Sequence, residues 1–259
     1  MKILFMGRKQ VSANLLRFLT KQDHIEIVGV LTDSHLQGSP TTAAAQELGL
    51  PLYTFDTALE AMREGRLKYD LGLSVLYWRK LRDEFLSIPT LGTINFHPAL
   101  LPEYKGTGGY NLAIMDELNE WGNTAHYVDA SIDTGEIIEV DRFPIDAETE
   151  TAQSLERKTM QALEPFAQRI IARAIESKTK LPTTPNIGGR YVSRDEMEAM
   201  KQIHDGDDVE KKIRAFWFPP YDGAYVEING QKYTLINRQL LEEVAPKDST
   251  SLFAGKANA

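Results

Sequence analysis

K-I-L-F-M-G at residues 2–7 runs directly into R-K-Q-V-S-A-N-L-L-R-F-L-T at 8–20, and these two phrases decide the fold. The first is a short apolar run closed by Gly7, the pattern of a strand covered on both faces. In the second, Val11, Leu15, Leu16 and Leu19 recur at helical spacing. I-E-I-V-G-V-L at 25–31 is a second strand of the same kind. Residues 41–48 are Ala-rich and helical in propensity, with Gly49 as their stop. Further along, 52–55 reads as a third strand, 59–64 as a helix, 71–77 as a fourth strand and 93–96 as a fifth. Strands alternating with helices predict an α/β fold, a mostly parallel sheet with helices on both faces and right-handed crossovers.

The pattern breaks at 178–190, K-T-K-L-P-T-T-P-N-I-G-G-R, where Pro182, Pro185, Gly188 and Gly189 interrupt any regular element. The break divides the chain into a catalytic domain over 1–180 and a linker with a small C-terminal segment over 181–259. Before it, 151–177 reads as one long helix with a kink at Pro165. After it, 209–216 is a short helix, and 224–228 and 231–236 flank Asn229 and Gly230, a strong hairpin signal. The tail from Pro246 is small and polar and reads as loose.

Composition narrows the function. The 259 residues hold 42% apolar and 25% charged side chains, as in an ordinary globular protein, and carry a net charge of −8. That balance argues against a nucleic-acid partner, which normally shows as a basic face. The absence of cysteine excludes disulfides, thiolate metal sites and a cysteine nucleophile, and fits a cytoplasmic location. The apolar start is too short for a signal-peptide core, and no membrane span is expected. Gly7 invites a dinucleotide-binding reading, but R-K-Q-V-S follows it and the second glycine of G-x-G-x-x-G is missing. Asp33 alone is a weak substitute for the ribose-binding acid.

The chemistry sits in N-F-H-P-A-L-L-P-E-Y-K-G-T-G-G-Y-N, 95–111, and G-N-T-A-H-Y-V-D-A-S-I-D-T-G-E-I-I, 122–138. Asn95 and His97, two apart at a strand end, point to one face, and ligands of open α/β sheets bind at carboxyl strand ends. An amide that can donate to a developing oxyanion thus neighbours an imidazole that moves protons near neutrality. Asp133, in the turn D-T-G, can hydrogen-bond that imidazole, set its tautomer and stabilise its protonated form.

N-x-H-P-A-L-L-P-x-Y-x-G followed by T-A-H-Y-V-D-x-x-I-D-T-G-x-I-I resembles the 10-formyltetrahydrofolate-dependent formyltransferase family over roughly residues 1–180. The resemblance implies a Rossmann-like catalytic domain, 10-formyltetrahydrofolate as co-substrate, no metal, and Asn95, His97 and Asp133 as the catalytic set. It also implies a pterin slot built largely from backbone, matched here by Trp78, Arg79, Lys80 and Leu81 on one loop and Asp129, Ala130, Ser131 and Ile132 on another. His126 matches a frequent family position and is read as structural; His24, His35 and His204 lack supporting context.

Three branches of the family differ in the amine they formylate. Methionyl-tRNA formyltransferases carry a basic C-terminal barrel that the region after the linker has no room for, although V-E-K-K-I-R-A-F-W-F-P-P-Y-D-G-A-Y-V resembles the start of theirs. Glycinamide ribonucleotide formyltransferases leave the segment from Arg190 unexplained. Enzymes acting on nucleotide-linked amino sugars for surface polysaccharide, the O-antigen of lipopolysaccharide among them, carry a short C-terminal segment and form homodimers. That branch is expected here, with GDP-perosamine as first choice and a dTDP-linked 4-amino sugar next. Gly108 and Gly109 are expected to open space and Tyr110 to offer a ring and hydroxyl to the sugar. Trp217 and Tyr221 are expected to stack on a base, and Arg8, Lys9, Arg79 and Lys105 to meet the pyrophosphate. The alternative of a different class is a folate-sensing or partner-binding domain without turnover.

Overall fold

A computed structural model describes residues 1–32 and 38–244; Asp33, His35 and the tail from Pro246 lie outside these residues. The first half alternates as expected: β1 (Lys2–Gly7), α1 (Gln10–Leu19), β2 (Glu26–Leu31), α2 (Pro40–Glu47), β3 (Leu52–Tyr53), α3 (Phe55–Arg63), β4 (Leu71–Val75), α4 (Asp83–Ser87) and β5 (Thr93–His97). Then come β6 (Tyr104–Gly106), α5 (Gly109–Met115), β7 (Glu120–Tyr127), β8 (Ile137–Pro144) and α6 (Ala152–Ser177). The C-terminal part holds β9 (Arg190–Val192), α7 (Arg194–Ala199), α8 (Val209–Ala215), β10 (Tyr225–Ile228), β11 (Gln231–Thr234) and α9 (Arg238–Val244).

The main sheet has the order β3-β2-β1-β4-β5-β7-β8. Its first five strands are parallel, while β7 and β8 are antiparallel to their neighbours. Alternation along β1 shows why helices cover both faces. Ile3 and Phe5 pack with Leu15 and Leu16 of α1 and Phe166 and Ile170 of α6. Leu4 and Met6 point the other way, onto Phe55 and Leu59 of α3 and Phe85 of α4. All four β1 side chains are fully buried.

Several element boundaries differ from the sequence expectation, and two of the differences have a visible cause. Phe55 belongs to α3 rather than to a strand, because Thr54 accepts from the Thr57 N–H and Thr57 answers with a reciprocal bond to the Thr54 N–H. The fourth strand stops at Val75 because Leu76 is left-handed, with φ 56°. The long helix begins on a similar box between Thr151 and Ser154 and continues through Pro165. The hairpin turn is as read, between strands shorter than expected: Asn229 (φ 54°) and Gly230 (φ 77°) supply the two positive φ angles that a two-residue type I′ turn demands. Among the described residues no helix is long and apolar enough to cross a membrane.

Candidate active site

The chain turns outward in both directions from the β1–β4 pair, so the crevice at their carboxyl ends is the switch point where α/β sheets take ligands. Next to it, β5 carries Ile94 and Phe96 into the core on one face and Asn95 and His97 onto the other. β7 lies across from them, with His126 opposite Asn95 and Thr124 opposite His97. The Thr124 hydroxyl donates to the Ala99 carbonyl (2.7 Å) and accepts from the Leu101 N–H (3.0 Å), which pins the chain leaving His97.

The amide of Asn95 is held in one orientation. The Ser74 hydroxyl, one strand over, donates to Asn95 Oδ1 at 2.8 Å. Asn95 Nδ2 lies 3.0 Å from His126 Nε2, and His126 Nδ1 lies 2.8 Å from the Tyr127 carbonyl. A carbonyl only accepts, so His126 carries its proton on Nδ1 and accepts from Asn95 on Nε2. Asn95 therefore has its oxygen and one N–H committed and a second N–H left to donate. Ser74→Ala should release this orientation and lower kcat about tenfold, the worth of one hydrogen bond, with little change in KM. Steady-state kinetics against wild type check this; an unchanged kcat would show that Ser74 does not matter to the amide.

His97 is buried and its Nε2 donates to the Tyr104 carbonyl at 2.9 Å. Its Nδ1 faces Asp133 Oδ2 at 3.6 Å, beyond hydrogen-bond range, and Asp133 Oδ1 lies 3.7 Å from His126 Nε2. The expectation that Asp133 sets the tautomer is thus corrected: the Tyr104 carbonyl fixes the proton on Nε2, leaving the Nδ1 lone pair free, and Asp133 acts through its charge. Burial pushes the His97 pKa below the ordinary value of 6.5, with Asp133 opposing that push. For Asp133, burial alone would raise the pKa, but the positive charge of a protonated His97, the neighbouring His126 ring and the N–H of Gly106 hold it down to about 2. Near neutrality the pair is a neutral imidazole facing a carboxylate. A base must be unprotonated to work, and the His97 imidazole should titrate below 6.5; an NMR titration of its ring in the unliganded protein with a midpoint above 6.5 would contradict this.

Asp133 reaches the site through a tight turn. Asp133 is left-handed at φ 55°, and a Cβ on Gly135 would lie 1.8 Å from the Tyr127 carbonyl oxygen. The N–H of Gly106 donates to Asp133 Oδ2 at 3.0 Å. Among the described residues no group of three or more His, Asp or Glu side chains is arranged to hold a metal ion.

The two loops matched to a pterin slot come together: Val128, at the base of one, packs in the cluster that holds Tyr77 and Leu81 of the other. Asp129 braces its own loop, accepting from the Ser131 N–H (3.0 Å) and the Thr134 hydroxyl (2.6 Å), while Ala130, Ser131 and Ile132 are exposed. Trp78 and Lys80 are also exposed, and the Arg79 guanidinium lies over the rings of Phe55 and Trp78. Leu81 is buried, so its side chain serves the core.

The residues expected to meet the acceptor are scattered. Arg8 follows β1 at the switch point, and its buried Nε has no hydrogen-bond partner among the described residues. Lys9 is paired with Glu156 of α6, and buried Lys105 donates to the Gly188 carbonyl (2.8 Å). The Gly108 and Gly109 step opens no space: a Cβ on Gly108 would lie 2.7 Å from Met197 Cγ, and one on Gly109 3.1 Å from the Trp121 ring. These glycines let α5 approach its neighbours. Tyr110 packs edge-on against Trp121 at 6.3 Å, and burial, with Glu156 adding to it, pushes its phenol pKa well up. Trp217 packs in the cluster of Ile114, Phe216 and Leu240, whereas Tyr221 is exposed and lies 6.0 Å from the Phe218 ring.

Sequence reasoning missed Ser74 and the part His126 plays beside Asn95. The signal available was T-A-H-Y, a β strand in which Thr124 and His126 share a face two residues apart, as Asn95 and His97 do.

An oriented amide N–H, a neutral imidazole with a free lone pair and an ionised carboxylate, at the carboxyl edge of an open sheet, are groups that can together carry acyl-group transfer without a covalent nucleophile. The formyl transferase family profile matches residues 1–171, and the chain belongs to that family. It is 30% identical over 243 residues to the methionyl-tRNA formyltransferase of Sinorhizobium fredii, covering 88% of this chain and 76% of that one. Identity to the methionyl-tRNA formyltransferase of Lysinibacillus sphaericus is 29% over 241 residues, 86% of this chain and 74% of the relative. Among solved structures it is similar to a 4-N formyltransferase from Francisella tularensis, at 20% identity and TM-score 0.75, covering 90% of this chain and 96% of that one. It is also similar to the N-formyltransferase from Helicobacter canadensis, solved with folinic acid and dTDP-3-aminofucose, at 24% identity and TM-score 0.70 over 90% of this chain and 86% of that one. The chain thus has the fold of these enzymes.

Proposed function

We propose that this protein moves the formyl group of 10-formyltetrahydrofolate to the 4-amino group of a nucleotide-linked dideoxy amino sugar, with GDP-perosamine the first choice and a dTDP-linked sugar next. The amine attacks the formyl carbon, and the carbonyl electrons move to its oxygen, where the free N–H of Asn95 donates to the oxyanion. His97 takes the amine's proton on Nδ1, placing the new N–H against Asp133, and returns a proton to the folate nitrogen as the carbon–nitrogen bond breaks. The exposed Trp78 and Ile132 suit the faces of a pterin, and Arg8 suits a pyrophosphate at the switch point.

The observation that carries the choice of acceptor is the net charge of −8, which gives a polyanionic tRNA no general grip. The fold's match to 96% of the Francisella enzyme supports the same choice. The methionyl-tRNA reading is favoured by the 29–30% identity to enzymes of that name and by the likeness of residues 209–226 to the start of their C-terminal region. We assign 1–180 to catalysis and 181–259 to the linker and C-terminal segment, whose hairpin exposes Ile228 and Tyr233 and suits pairing of two copies. The deciding experiment offers GDP-, UDP- and dTDP-linked 4-amino sugars and initiator methionyl-tRNA with 10-formyltetrahydrofolate, reading transfer by mass spectrometry. Preference for a sugar supports the proposal, and preference for the tRNA overturns it. Saturable folate binding with no transfer to any amine would instead mean a sensor.

A further inference from the structure

The segment that composition marks as a linker is woven into the catalytic region. Ile137 and Thr184 exchange backbone hydrogen bonds of 2.9 and 2.8 Å. β9 pairs in parallel with β6, extended by Arg190 N–H to the Glu103 carbonyl and Thr107 N–H to the Val192 carbonyl, both 2.8 Å. At Gly189 the two backbones touch, since a Cβ there would lie 1.5 Å from the Pro102 carbonyl oxygen. Between these anchors sits Asn186. Its Nδ2 donates to the carbonyl of Asp133 (3.0 Å) and to that of Gly135 (2.9 Å). Both partners are acceptors, so the nitrogen of this amide must face them. Its Oδ1 is buried with no hydrogen-bond partner among the described residues, a cost that the two bonds to the turn offset.

The turn so gripped holds a non-glycine residue, Asp133, in the left-handed region, which persists only where the surroundings over-determine it. Both ends of Asp133 depend on the same segment. Asn186 holds its carbonyl, and β9 holds β6, whose Gly106 N–H donates to the carboxylate. We propose that Asn186 is a positioning residue that fixes the turn from Asp133 to Gly135 and thereby the carboxylate facing His97. The proposal rests on His97 and Asp133 being the working pair, but not on which amine is formylated.

The titratable groups facing His97 are Asp133, from the turn before β8, and His126, on β7. Asn186→Leu keeps the size and removes both N–H donors without adding charge. NMR titration of the His97 imidazole in the unliganded protein should then move to lower pH, in the direction given by Asp133→Asn, because a displaced carboxylate no longer favours the imidazolium. In turnover, kcat should fall about tenfold with KM for both substrates within about twofold. On an Asp133→Asn background the same substitution should change kcat by less than about twofold, since the two act through one group. A merely structural residue would lower the melting temperature, leave the His97 titration in place and give additive losses; that result would overturn the proposal. Asn186→Ala, read the same way, serves if the leucine variant does not fold. If no acceptor is ever formylated, the functional reading fails, while the titration still decides the role of Asn186.

Discussion

Replacing His97 with alanine should lower kcat/KM at least a hundredfold, within the ~10²–10⁴ that a placed proton-transfer group contributes. The geometry gives the reason. The neutral ring has its Nε2 proton committed to the Tyr104 carbonyl, so its free lone pair is on Nδ1, and a proton arriving there meets the Asp133 carboxylate 3.6 Å away. No other described group offers that combination: His126 has its Nδ1 proton committed to the Tyr127 carbonyl and its Nε2 to Asn95. The fold should survive. Alanine leaves one carbonyl without its donor, a cost of ~1–3 kcal/mol, which corresponds to a drop of several degrees in Tm for a chain of this size. Circular dichroism and thermal melting separate the two effects, and near-normal turnover in a folded His97→Ala protein would remove the mechanism.

Asn95→Ala is expected to cost ~10²–10³-fold, and to cost it in kcat. The oxyanion exists only after the amine has attacked, so a donor aimed at it stabilises the transition state more than either bound substrate. KM for donor and acceptor should stay within about threefold of wild type. Asn95→Asp makes the sharper comparison, because it keeps the size but presents an acceptor where an N–H is needed, and it should be no more active than the alanine variant. A loss confined to KM in either protein would reassign Asn95 to ground-state binding.

Much of the fold was legible because its determinants are local. The alternating faces of β1, the helical spacing after it and the Asn229-Gly230 turn each arise within about a dozen residues, where backbone geometry leaves few choices. The misread boundaries are local too. Thr54 looks like strand continuation by composition, and only the reciprocal bonds with Thr57 reveal a helix start. The Gly108 and Gly109 step was misread for another reason: a glycine pair signals room, but what fills it, here Met197 and Trp121, comes from elsewhere in the chain.

What the sequence alone determined is the set of chemical groups and their strand-end placement: Asn95 and His97 share a face because two residues along a strand must. What only the tertiary structure decided is the state of those groups. The tautomer of His97, the direction of the Asn95 amide and the position of Asp133 depend on Tyr104, Ser74, His126 and Asn186, which lie 7 to 53 residues away from the group each one holds. A hydrogen bond fixes an orientation only when donor and acceptor meet at about 3 Å, and packing of the whole chain is what brings such distant segments to that distance.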